Sequence, residues 1–409
     1  MVVPFWFIHF NETKAMGLIL DYMGSTFNGK VKAYDSQKRF IEEFELDTFG
    51  EFDDHKWVEQ PKDKSQIYAE DRPGKASQIE IRAKDISLRR NNSRFKFFLD
   101  GTRHVYKVGD VAIDGVVYPL AVGQIIVGYC GRVGRDIKIG KFVRKLVLSV
   151  PVQWDLNNQG VNFFRRQCDE INSRLRETVL YTKFDIQLDS IIPYGKNETS
   201  QHEMGRNKYL RLATTCIQNE MLDQERLLVQ KLVMDGTFSD SDAMLIKDGS
   251  IEYKKDFTNR PEEELANAKF SLNFRDVVGV SKGFDPELLS KREPRIGTMI
   301  AELKPMYRTR AYRYLHEGKN YCVWYLRLRN TLNRSNNYAD IIKVEMYMPD
   351  DKIIPTSLIN VLSAHLINEA YPVCYGKDAR WANHLYPVHI TEMFCKSMFI
   401  DEKLIIRII

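Results

Sequence analysis

Apolar positions along the chain follow two periods, and the period-two runs set the frame. FKFFLDGTR (95–103) is a short apolar strand ending in a turn, VAIDGVVYPLAVGQIIVGYCG adds two more β-rich runs separated by Pro119 and glycines, and KFVRKLVLSVPV makes another. Together they predict an antiparallel meander whose first strand delivers Asp100 to its end. Residues 156–180 are polar-helical, with Phe163, Phe164, Ile171, Leu175 and Leu180 at roughly helical spacing. A longer helix is predicted from about Asn207 to Val233, where Leu210, Ile217, Met221, Leu228 and Leu232 repeat at helical intervals, and Asp235-Gly236 supplies its cap and turn. AMLIKDGSIEY then gives a strand with Asp248 at its tip, and DVVGVSKGF another with Lys282 just beyond it. NYCVWYLRLRN and DIIKVEMYMP are further β-rich runs, followed by a helix from about Pro355 to Ala370. The segment WANHLYPVHITEMFCKSMF reads as a turn and a partly buried helix. No internal repeat is present, and no heptad run long enough for a coiled coil.

At 409 residues and 44% hydrophobic composition the chain can bury one large core or two ordinary ones. Residues 46–92 are polar, with EFDDHKW and QPKDKSQIYAEDRPGKAS reading as loops, so residues 1–92 are taken as an N-terminal extension or docking region before a domain at 93–400. The opening MVVPFWFIHF is apolar but too short to span a membrane as a helix and has no basic leader. Six scattered cysteines argue against a zinc ribbon or a disulfide framework and fit a reducing cytoplasm. With a formal charge of only +5, any nucleic-acid site must come from local clustering.

Asp100 in FLDGTR, Asp248 in IKDGS and Lys282 in GVSKG all stand where apolar runs stop, and strand ends are where side chains converge into a cleft. Two carboxylates from separate strands with a third from a helix make the oxygen-rich cage a divalent ion needs. Glu225 on the long helix is the candidate third ligand, with Glu220 close behind. The plainer reading is that Asp-Gly at a strand end is a turn former, which suits Asp114-Gly115.

FLDGTR, IKDGSI, VVGVSK, the WYLRL run with IIKVEMY, and the late YPVHITEMF occur in an order that resembles the NurA family of DNA-end-processing nucleases, over residues 95–400. The resemblance implies an α/β, ribonuclease-H-like core with a mixed sheet and flanking helices, and a Mn²⁺- or Mg²⁺-dependent deoxyribonuclease with exonuclease and endonuclease action. It also implies that Asp100 and Asp248 are acidic ligands, that Lys282 is the lysine after the next strand, and that a late histidine contributes. Glu225 answers to the helical glutamate, with Glu220 as the alternative register; His389 answers to the histidine, with His384 as the alternative. A homodimer and a hexameric HerA-type ATPase partner are further implications.

Arg103, directly after the first acidic turn, could neutralise a phosphate by a bidentate contact, or make a surface ion pair. The local candidate for a DNA track is MYRTRAYRYL (306–315), where Arg308, Arg310 and Arg313 interleave with Tyr307, Tyr312 and Tyr314. Arg327 and Arg329 alternate in YLRLR and would share one strand face; an ordinary basic solvent face is the alternative. GRVGRDIKIGK superficially resembles a phosphate loop but lacks its spacing and the hydroxyl residue after lysine, so ATP hydrolysis is not expected. Against the metal-dependent nuclease stand a non-catalytic DNA-binding or assembly subunit and an RNA-directed nuclease.

Overall fold

A computed structural model of the chain describes residues 17–26, 30–35, 67–73, 76–88, 92–134, 136–195, 208–237, 242–252, 272–316, 319–329, 337–349, 352–370 and 385–407. The opening apolar decapeptide, EFDDHKW and His384 lie outside them. The described strands are β1 (Val31–Asp35), β2 (Gln78–Glu80), β3 (Phe95–Ile113), β4 (Val116–Val133), β5 (Asp136–Pro151), β6 (Ser190–Tyr194), β7 (Met244–Asp248), β8 (Val277–Ser281), β9 (Tyr307–Thr309), β10 (Tyr312–His316), β11 (Lys319–Arg327) and β12 (Ile341–Tyr347). The described helices are α1 (Leu18–Ser25), α2 (Ala83–Leu88), α3 (Val161–Leu175), α4 (Val179–Phe184), α5 (Lys208–Met234), α6 (Ile296–Ala301), α7 (Thr356–Glu369), α8 (Tyr386–Ser397) and α9 (Glu402–Arg407).

All twelve strands belong to one mixed sheet, ordered β2-β9-β11-β12-β8-β7-β3-β4-β5-β6, with β1 beside β3 and β10 beside β11. Toward one edge stands the antiparallel meander β3–β4–β5; β7 lies parallel to β3, and β8 parallel to β7. β1 and β2, from the first 92 residues, hydrogen-bond into this same sheet.

The meander departs from the sequence expectation in two respects. The first strand does not stop at Asp100 but runs on to Ile113, and the two runs around Pro119 are one continuous β4. The turn that does occur is at Asp114-Gly115, both at positive φ, as expected of that pair. Pro119 is tolerated opposite Asp110 because β4 pairs with β5 only from Ala121 onward, so at Pro119 the described strand pairing of β4 is with β3 alone.

Side-chain alternation along β3 sorts the core into two layers. Leu99 belongs to the apolar cluster that includes Ile217, Met221 and Leu228 of α5, whereas Phe98 belongs to the cluster that includes Leu362 of α7 and Val388 of α8. Helix α5 therefore covers one face of the sheet, and α7 and α8 the other. Helix α5 matches its predicted span closely because its apolar stripe is long and regular. Among the described residues, no helix is long and apolar enough to cross a membrane.

Candidate metal centre

Strand β7 pairs with β3 only as far as Leu99, opposite Lys247. Asp100 is the next residue of β3, so it stands at the lip left where its neighbour ends, although its own strand continues. Asp248 closes β7 at that lip, and Lys282 follows the end of β8 one strand further on. Helix α8 crosses the same face: Val388, Thr391 and Cys395 are buried at helical spacing, and Thr391 Oγ1 donates to the Phe98 carbonyl at 3.2 Å. That anchoring carries Glu392 to the lip.

The result is three carboxylates, Asp100, Asp248 and Glu392, with one oxygen of each within 4.8 Å of the others. Lys282 Nζ lies 2.7 Å from Asp248 and 3.6 Å from Glu392. Burial pushes the Asp100 carboxyl well above its ordinary value, and the negative charge of Asp248 adds to the effect, only partly offset by Lys282. For Lys282, burial works against the charge, but Asp248, Glu392 and Asp100 outweigh it and raise the ammonium above its usual range. The cluster thus favours a cation strongly enough to hold one lysine charged out of bulk water.

Glu392 is the member the sequence reading missed. It sits three residues after His389 on α8, on a neighbouring part of the helix surface, and that spacing was the available signal. His389 is beside the triad and not within it, with Nδ1 4.0 Å from Glu392. Burial lowers its pKa, so the ring is neutral near pH 7.

Glu225 also stands outside the triad. Its carboxylate presses on the backbone of β3 at Gly101, where a Cβ would collide with Oε1, so it approaches from the α5 face. Only glycine permits that approach. There it pairs with Lys247 at 3.0 Å, both side chains almost fully buried. Burial raises its pKa against the pull of Lys247, and the field of Asp248 contributes to the rise. Glu220, the alternative register, points elsewhere and pairs with Lys145 at 2.8 Å.

Three arginines fall in places other than those expected. Arg103 is an odd number of residues from Asp100 and so projects to the opposite face, where it donates to Gln218 of α5 at 3.3 Å. Arg308 is fully buried and held by both carboxylate oxygens of Glu70, at 3.2 and 2.8 Å. Arg327 is fully buried and donates to the carbonyls of Ala339, Ala301 and Asn337. Neither Arg308 nor Arg327 is open to a phosphate. Tyr312 and Tyr314 are core residues, and Arg310 stacks on and hydrogen-bonds Tyr68. Within the segment 306–315, Arg308 and Arg310 thus take partners contributed by the N-terminal ninety residues.

The donor set suits a hard divalent cation: oxygen ligands only, clustered at one lip, with like charges that repel one another without an ion. No family model matches the chain, and no curated protein matches it. Among solved structures the chain is similar to the NurA nuclease from Sulfolobus solfataricus, with 11% identity over 77% of this chain and 83% of that one, and a TM-score of 0.37. A likeness that distant does not assign the chain to that family. What the geometry defines is a mixed α/β protein with an acidic, lysine-bearing lip at the ends of two parallel strands.

Proposed function

We propose that the chain is a metal-dependent nuclease that hydrolyses phosphodiester bonds in DNA at this lip. The observation that carries the reading is the convergence of Asp100, Asp248 and Glu392 around the Lys282 ammonium. The meander β3–β4–β5, extended across β3 by parallel β7 and β8, supports the ribonuclease-H-like reading of the core. The order of short motifs supports the NurA-type reading, and with it Mn²⁺ or Mg²⁺, a homodimer and a HerA-type ATPase partner.

Asp100, Asp248 and Glu392 would hold the cation, with Glu225 close behind on the other side of β3. When bound, such a cation acts as a Lewis acid on the phosphoryl oxygens and makes water a better nucleophile near neutral pH. The chain's own groups do the rest. Lys282 keeps a fixed positive charge at the lip, aimed at a site that must receive negative charge. His389, neutral and beside Glu392, can take up a proton at its ring nitrogen. Asp100 would meet such a cation as a carboxylate, the form that burial disfavours in the cation's absence.

Degradation of a linear DNA duplex with free ends, in Mn²⁺, Mg²⁺ or EDTA, with and without a HerA-type partner and with RNA as the competing substrate, tests the proposal. Metal-dependent loss of duplex by wild type and none by Asp248→Asn is the expected result. A wild type inert on DNA under all these conditions overturns it in favour of a non-catalytic subunit, and cleavage confined to RNA reassigns the substrate.

A further inference from the structure

Glu345 lies on β12, two strands from Asp248, on the sheet face opposite the triad, and is fully buried. Its side chain reaches toward the end of β7 across Gly279 of β8. A Cβ at position 279 would stand 2.8 Å from Glu345 Cγ, 3.0 Å from its Oε1 and 3.1 Å from the Gly249 carbonyl oxygen. Through the space that glycine leaves, Oε1 of Glu345 accepts a hydrogen bond from Ser250 Oγ at 2.6 Å and another from the backbone amide of Ile251.

The rest of the turn is fastened as well. The Gly249 amide donates to the Val280 carbonyl at 2.8 Å, Lys247 Nζ donates to the Asp248 carbonyl at 2.9 Å, and Glu252 pairs with Lys343 at 3.0 Å. Lys343 is in turn 2.7 Å from Glu345 Oε2. Each of the four residues after Asp248 is thus anchored, Gly249 by its amide, Ser250 and Ile251 by Glu345, and Glu252 by Lys343, which points to placement of that aspartate.

We infer that Glu345, reaching across Gly279, is a positioning residue that clamps the turn after Asp248. Resting on the metal-site reading above, it thereby sets the affinity of the triad for its divalent cation. The hydrogen-bonded supports of metal ligands typically alter affinity by about 10- to 100-fold when removed.

The test compares Glu345→Gln, which keeps an oxygen acceptor for Ser250 and Ile251, with Glu345→Met, which fills the same space without one. Mn²⁺ binding is measured by calorimetry well below each variant's melting temperature, so that loss of stability alone does not register, and amide exchange is followed at Ile251. Glu345→Met should bind Mn²⁺ about 10- to 100-fold more weakly and exchange Ile251 faster, while Glu345→Gln retains most of both. Gly279→Ala, which leaves the carboxylate in place but fills the space it crosses, should resemble the Met variant. Unchanged exchange at Ile251 in Glu345→Met overturns the clamp, and faster exchange with unchanged Mn²⁺ affinity overturns its role in binding. A wild type that binds no Mn²⁺ removes the metal reading instead, and the exchange rates then decide the clamp by themselves.

Discussion

Asp100→Asn should make the metal-free protein more stable and the metal-loaded protein less so. Asp100 is 6% exposed and shares a 4.8 Å neighbourhood with two other carboxylates. At an effective dielectric near 20, each like-charge pair at that separation costs about 3 kcal/mol. Lys282 cancels part of this, so the expected net gain on removing the charge is about 1–3 kcal/mol, a shift of a few degrees in Tm. Asp100 has a raised pKa in the folded state, so its contribution is most favourable below the ordinary carboxylate value and is lost as pH rises through the folded pKa. The advantage of Asn should accordingly vanish in acid and grow as pH rises toward the folded pKa of Asp100. Mn²⁺ at a thousandfold excess over its Kd adds about 4.1 kcal/mol to the wild type, and little to the variant. Thermal melts at pH 7 with and without Mn²⁺ should therefore cross: the variant higher without metal, the wild type higher with it. An apo variant that melts below wild type, or one that gains as much from Mn²⁺, would refute the reasoning.

Other expectations follow from the same geometry. Glu392→Gln should weaken Mn²⁺ binding by at least about tenfold in a calorimetric titration with no large change in Tm; wild-type affinity would remove Glu392 from the site. Gly101→Ala forces the Glu225 carboxylate off β3 and disturbs a buried pair whose rupture costs about 3–5 kcal/mol, so a melt should show a clear loss of stability. Glu70→Gln takes the charged bidentate partner from Arg308 and should destabilise the fold to a similar degree, measured by denaturant titration. Arg308→Ala, assayed as folded protein, should leave the salt dependence of DNA binding unchanged, since a buried guanidinium releases no counterions from phosphates; a flatter slope would return that arginine to the nucleic-acid surface.

Asp248 and Lys282 were legible because each follows a short apolar run that ends in a glycine-bearing turn, and such runs stop where the sheet stops. Asp100 was found for a partly different reason. Its strand does not end, but the neighbouring strand does, and a pairing partner 148 residues away is invisible to local pattern. Glu392 was missed because a glutamate on an amphipathic helix is indistinguishable by spacing from a solvated one until the sheet beneath the helix is known. The arginines failed the other way. Period-two alternation of Arg with Tyr reads as a surface strand, yet Arg308 is neutralised by Glu70, 238 residues earlier in a segment whose polarity suggested a loop. The structural reasons for Gly101 and Gly279 were likewise hidden, since each glycine is required by a carboxylate arriving from a distant element.

The most direct test of the central claim is the anomalous scattering from Mn²⁺ in crystals of the wild-type protein. The account requires a peak at the lip, within coordination distance of carboxylate oxygens from Asp100, Asp248 and Glu392 and beside the Lys282 ammonium. A crystal saturated with Mn²⁺ that shows no peak there, or whose peak is ligated by other residues, would contradict it.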